Sequence, residues 1–132
     1  IRAVGQGKCG IGVVNHYYLA RMQAGKTGAK DKQLGNAVKL IMPNPAHVNI
    51  SAAGMAKSAK NKAEAKQLIE YLASAKGSRE ISGPTYEYPL KGFGSASQLK
   101  AFGKFTPDNV SISQLGKTQP KAIQIMAASG WK

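Results

Sequence analysis

Asn15-His16-Tyr17-Tyr18 is the run whose residue types have most chemistry to offer. Two adjacent phenols at the opening of a helix can both lean toward one cleft, because a first turn is not yet committed to regular helical spacing. A phenolate is a hard, anionic oxygen donor and suits a hard trivalent cation such as Fe(III). A free phenol titrates near pH ~10, so a Lewis acid or a positive field has to help remove its proton. A helix N-terminus and the formal net charge of +13 both act in that direction. The ordinary alternative for a Tyr pair is one core ring and one surface ring. Cys9 is the single cysteine, so no intrachain disulfide forms, and two histidines without a second cysteine exclude the usual zinc spacings. Cys9 reads as a small buried side chain beside a strand. A nucleophilic thiol there would need a base, and His16 is the one close in sequence.

The elements that must position this run are short. Lys8 to Val14 reads as a glycine-flanked loop leading into a buried strand, Ile11 to Val14. Asn15 stands where a helix N-cap would, and His16 to Met22 is good helix material until Gly25. Residues 25–35 read as a polar surface loop. Val38 to Met42 is a second expected strand, stopped by Pro43, Asn44 and Pro45, and Ala46 to Ser51 alternates polar and apolar as a third. Asn61 to Ala75 is the clearest helix, with Glu64 in its first turn, Ala65, Leu68, Ile69 and Leu72 at helical spacing, and Gly77 closing it. Ser82 to Gly94 reads as irregular chain anchored by Tyr86, Tyr88 and Phe93, and Val110 to Ser113 as a short extended piece. A last helix is expected from Pro120, burying Ala122, Ile123, Met126 and Ala127 and stopping at Gly130 before Trp131. These elements make a mixed α/β chain.

Composition sets the outer limits. The chain has 132 residues, 42% of them apolar, which fits a globular domain and not charge-driven disorder. Its longest apolar stretches fall far short of the roughly 20 residues of a membrane span. Nineteen basic residues against six acidic ones favour anionic partners, and a basic nucleic-acid-binding module is one alternative on that ground. Sixteen of the nineteen are lysines spread along the chain, however, and base reading prefers arginine. The densest stretch, Lys57 to Lys66, reads as a solvated helix surface. A chain that opens at Ile1, without a methionine or a signal-peptide pattern, is expected to be a processed protein or a fragment.

The motifs carry more than the composition. Gly7-Lys8-Cys9-Gly10-Ile11-Gly12-Val13-Val14-Asn15-His16-Tyr17-Tyr18 resembles the stretch of periplasmic ferric-iron-binding proteins that reads as a small-residue turn, an apolar strand and Asn-x-Tyr-Tyr. Pro43-Asn44 and His47-Val48-Asn49-Ile50-Ser51-Ala52-Ala53-Gly54 resemble that family's Pro-Asn and His-Val-Asn-Ile-Ser-Gly-Ala-Gly elements. Glu70-Tyr71-Leu72, Tyr86-Glu87-Tyr88-Pro89-Leu90, Leu115-Gly116-Lys117 and Gly130-Trp131 follow in the family's order and nearly fill the chain.

The resemblance implies the C-terminal portion of a two-lobed type II periplasmic-binding-protein fold, α/β in class and incomplete as a sheet on its own. Residues 1–45 would be part of the C-terminal lobe carrying the Tyr-Tyr motif. Residues 46–54 would be the inter-lobe crossing strand and hinge, with Ala52 where the family has Gly, and 55–132 a C-terminal helical segment packing on the lobes. The implied function is that of a bacterial transferrin-like carrier, not an enzyme. It would bind Fe(III) through the phenolates of Tyr17 and Tyr18 and deliver it to the permease subunits of an ABC importer in the periplasm. Asn15 would help hold a synergistic anion, carbonate or phosphate, and the Tyr86 and Tyr88 rings would be structural. Two phenolates do not fill the sphere of a six-coordinate iron, so further ligands are expected from an N-terminal part of the same protein or from a second chain. The resemblance implies neither a nucleic-acid partner nor a membrane span. A different solute on the same architecture, such as an oxyanion or a polyamine, is a further alternative, and the scarcity of carboxylates counts against the polyamine.

Overall fold

Asn15 sits in extended backbone at φ −69° and ψ 138°, and the chain turns helical immediately after it, giving α2 from His16–Gln23. The computed structural model describes residues 1–92 and 94–131, so Phe93, expected as an anchor, lies outside the described residues. The other helices are α1 (Arg2–Gly5), α3 (Ala29–Asn36), α4 (Lys62–Ala73), α5 (Ala75–Thr85), α6 (Ser97–Phe102) and α7 (Ile112–Ala128). The chain divides into two compact units. The first holds Ile1–Met42 and Ser51–Lys104, and the second holds Pro43–Ile50 and Phe105–Lys132.

In the first unit α2 packs on α3 and α6, α1 on α3, and α4 on α5. Leu19, Ala20 and Met22 of α2 and Leu99 of α6 are buried. Helix α3 replaces the expected loop over 25–35. Its residues are polar and carry no apolar stripe, so what stabilises it is tertiary. Asp31 is drawn inward by Arg2, whose Nε and Nη2 donate to the carboxylate at 2.7 and 2.6 Å. Gly35 lets the backbone lie against Met22, where a Cβ would stand 2.9 Å from the Met22 Cβ. Gln23 Nε2 donates to the Gly35 carbonyl at 3.2 Å.

Helix α4 forms as its spacing predicts, with its lysines at 62 and 66 exposed. Gly77 does not close it. Instead Ser74 ends α4 and opens α5. Its Oγ donates to the Tyr71 carbonyl at 2.6 Å and accepts the Gly77 N–H at 3.1 Å. The second helix turns back so tightly that a Cβ at Gly77 would overlap the Tyr71 carbonyl oxygen. Glycine is used here for close approach. Helix α5 also absorbs Ser82 to Thr85, including Pro84, so the irregular chain starts only at Tyr86.

The expected strands are not paired. Among the described residues there is a single isolated bridge, parallel, between Ala46 and Pro107 in the second unit. The segments 11–14 and 38–42 run without a ladder, and Val13 and Ile41 are 88% and 81% exposed. A strand needs a neighbour on its hydrogen-bonding edge, and these residues have none here. Cys9, expected to be buried beside such a strand, is accordingly exposed.

The second unit joins its two stretches through that bridge. Ala46 N donates to Thr106 O and Asp108 N donates to Ala46 O, each at 2.8 Å. His47 Nδ1 lies 3.0 Å from Asp108 Oδ2. Helix α7 begins at Ile112, eight residues before the proline expected to open it, because Ser111 Oγ caps the Gln114 N–H at 3.2 Å. Ile112 and Ser113, expected to be extended, are therefore helical, and Pro120 lies inside the helix. No residue of α7 is buried. Ala122, Ile123, Met126 and Ala127, expected in a core, are exposed.

Candidate metal centre on the first turn of α2

Neighbouring positions on a helix point about 100° apart, so adjacent side chains do not ordinarily face each other. Tyr17 and Tyr18 nevertheless come together, with ring centroids 4.5 Å apart and planes inclined at 50°. Asn15 is drawn into the same group, its Nδ2 donating to Tyr17 Oη at 3.3 Å. The ordinary core-and-surface split does not occur. Tyr17 is half-buried and Tyr18 is 48% exposed. Three candidate residues read from the sequence thus converge within one helical turn.

The Tyr17 proton is held more firmly than in a free phenol. Tyr17 is raised above the ordinary phenol value, chiefly because its hydroxyl hydrogen-bonds to Tyr18, then by desolvation and the neighbouring Tyr18 and Glu87 charges. The Asn15 amide acts in the opposite sense.

The contacts that hold this turn in place, unlike most of their residues, could not be read from the sequence. His16 Nε2 lies 2.9 Å from the Tyr86 carbonyl, an acceptor, so the imidazole carries its proton on that nitrogen. Its ring stands 5.0 Å from Tyr88 and 6.4 Å from Phe102. Burial lowers the His16 pKa below the ordinary imidazole value, so the ring is neutral at physiological pH. The carbonyl it binds is presented by an unusual backbone. Tyr86 adopts φ 61° and ψ 27°, and Ser82, fully buried, donates to the Glu87 carbonyl at 2.5 Å to fix that turn. Tyr86 is buried, and the Tyr88 hydroxyl donates to the Gly103 carbonyl at 3.0 Å. Glu87 accepts from Ser51 Oγ at 2.9 Å. A left-handed non-glycine residue is the kind of signal that composition and periodicity do not carry.

A cavity of about 540 Å³ opens beside Tyr18, between α1, α2 and α3. Its charged lining residues are Arg2, Arg21 and Asp31. The Asp31 carboxyl lies below the ordinary carboxylate range because Arg2 donates to it, with Thr27 adding a further hydrogen bond. A depressed carboxylate contributes stability that is complete above the unfolded value, near pH ~4, and is lost as pH falls through the folded one. Melting curves of the chain and of Asp31→Asn should therefore differ at neutral pH and converge below pH ~4. A constant gap down to pH ~2 would show that the pair contributes nothing through ionisation.

Among the described residues no group of three or more His, Cys, Asp or Glu side chains could hold a metal ion. Hard, potentially anionic phenols on adjacent positions are chemically suited to Fe(III) and poorly suited to zinc or copper. No helix among the described residues is long and apolar enough to cross a membrane.

The fold is that of the C-terminal portion of a type II periplasmic binding protein. Within that class the similarity is to ferric binding proteins. A Bordetella ferric binding protein superposes with a TM-score of 0.88 at 31% identity, over 98% of this chain and 43% of that one. The ferric binding protein from Campylobacter jejuni gives 0.86 at 29% identity, over 99% of this chain and 43% of that one. In sequence, the whole chain is 34% identical to 40% of iron uptake protein A2 from Synechocystis. It is 29% identical to 40% of the major ferric iron-binding protein from Neisseria meningitidis. The chain thus spans about 40% of the length of the curated relatives it matches. No family model matches it. The resemblance read from the motif order is borne out, and so is the fold class, with the sheet represented here only by extended segments and one bridge.

Proposed function

We propose that this chain is the Tyr-Tyr half of a periplasmic carrier that binds Fe(III) as cargo through the phenolates of Tyr17 and Tyr18 and hands it to an ABC importer. The observation that carries this reading is the apposition of the two phenol rings at 4.5 Å, with Asn15 hydrogen-bonded to the Tyr17 hydroxyl. The printed names of the relatives, an iron uptake protein and ferric iron-binding proteins, support it. Binding and release, not catalysis, is the work such a site does. Asn15 helps place a synergistic anion, carbonate or phosphate, against the metal. Residues 46–54 serve as the crossing between lobes, with 1–45 on one side of it and 55–132 as the helical segment that follows. The remaining ligands come from an N-terminal part of the same protein or from a second chain, and the permease subunits are the receiving partner.

The test supplies the missing ligands from a chelator. Fe(III) added as its nitrilotriacetate complex leaves coordination positions that two phenolates can fill, so a visible phenolate-to-iron charge-transfer band should grow and saturate as chain is added. Absence of any band beyond that of the chelate would overturn the reading.

A further inference from the structure

The cavity between α1, α2 and α3 is not explained by metal binding, since Tyr18 is the only one of the two phenols that lines it. Its electrostatics are lopsided. Arg2 and Asp31 form a bidentate pair at 2.7 and 2.6 Å, which leaves them mutually neutralised, and Thr27 adds a further hydrogen bond to the same carboxylate. Arg21 lines the cavity without an ion-pair partner among the described residues. Among the side chains that line the cavity, one net positive charge is therefore left, on a chain whose overall charge of +13 already draws anions. The remaining walls are apolar, from Ala3, Val14 and Met22, and Met22 is buried. The volume of about 540 Å³ lies within the ~300–1,000 Å³ of small-molecule sites and is larger than an inorganic oxyanion requires.

We propose that this cavity binds a small organic monoanion, a carboxylate carried on an apolar body, with the carboxylate on the Arg21 guanidinium and the Tyr18 hydroxyl and the body against Val14 and Met22. A planar guanidinium matches a carboxylate in geometry and can bind it through two parallel hydrogen bonds. The inference does not depend on the metal reading, because it concerns the metal-free chain.

Para-fluorobenzoate is a suitable probe, followed by fluorine NMR as metal-free chain is titrated in. The expected result is a saturable shift, weakened at least about tenfold by Arg21→Gln and less by Arg21→Lys. Para-fluorobenzamide, equal in shape and without charge, should bind at least about tenfold more weakly to the unaltered chain, a comparison that needs no variant to fold. Arg79→Gln, which removes an exposed charge on α5, should change nothing. Equal binding of the amide, or equal weakening by Arg79→Gln, would show only diffuse attraction or apolar uptake and would overturn the proposal.

Discussion

With phenylalanine at Tyr17 or Tyr18, the charge-transfer band of the chain in the presence of ferric nitrilotriacetate is expected to fall by half or more, and in the double variant to vanish. The two rings lie with their centroids 4.5 Å apart, so the pair can offer one metal two phenol donors from a single turn. Removing one leaves a monodentate site. Groups that merely orient a metal ligand typically cost ~10–100-fold in affinity when lost, and a donor in contact with the metal should cost at least the upper end of that range. Asn15→Ala, which loses the 3.3 Å contact to the Tyr17 hydroxyl, should fall near the lower end. Titration of band intensity against chain concentration separates these cases. Identical spectra for the parent and both single variants would remove the tyrosines from the site.

Leu19→Ala is expected to be the most damaging substitution for stability. Leu19 follows the tyrosines on α2 and is 1% exposed, so truncation removes buried methyl groups and leaves a hole among the neighbours. Such changes cost ~2–5 kcal/mol, against a total of ~5–15 kcal/mol for an ordinary domain. The urea midpoint should drop with the slope unchanged. Tyr18→Phe, which alters a half-exposed ring, should move the midpoint little, so loss of the iron band there would not reflect unfolding. A Leu19→Ala midpoint equal to the parent's would mean that α2 is not anchored through this residue.

What could be read from the sequence follows from where the determining forces lie. Helices α2 and α4 were legible because their signals are local. Asn15 and Asn61 stand at the N-caps, and α4 carries apolar residues at helical spacing. The tyrosine pair was legible from residue type and motif order. Helix α3 was not, because a polar run is held by the Arg2–Asp31 pair 29 residues apart in sequence. Gly77 resembled a terminator because glycine usually ends helices, whereas here it is small so that α5 can cross the Tyr71 carbonyl. Ile11 to Val14 and Val38 to Met42 have the composition of strands, yet a strand is a property of two segments, and the second is lacking among the described residues. Helix α7 started early because Ser111 supplies a better cap than Pro120, and its apolar residues have no neighbour to cover them. The turn at Tyr86 that binds His16 carries no sequence mark, since nothing in a tyrosine announces a left-handed backbone.

Ser74 leaves a kinetic mark on the molecule. A single hydroxyl satisfies the last turn of α4 through the Tyr71 carbonyl and the first turn of α5 through the Gly77 amide. Because both bonds meet at one side chain, amide exchange at the end of α4 and the start of α5 is expected to respond together to Ser74→Ala.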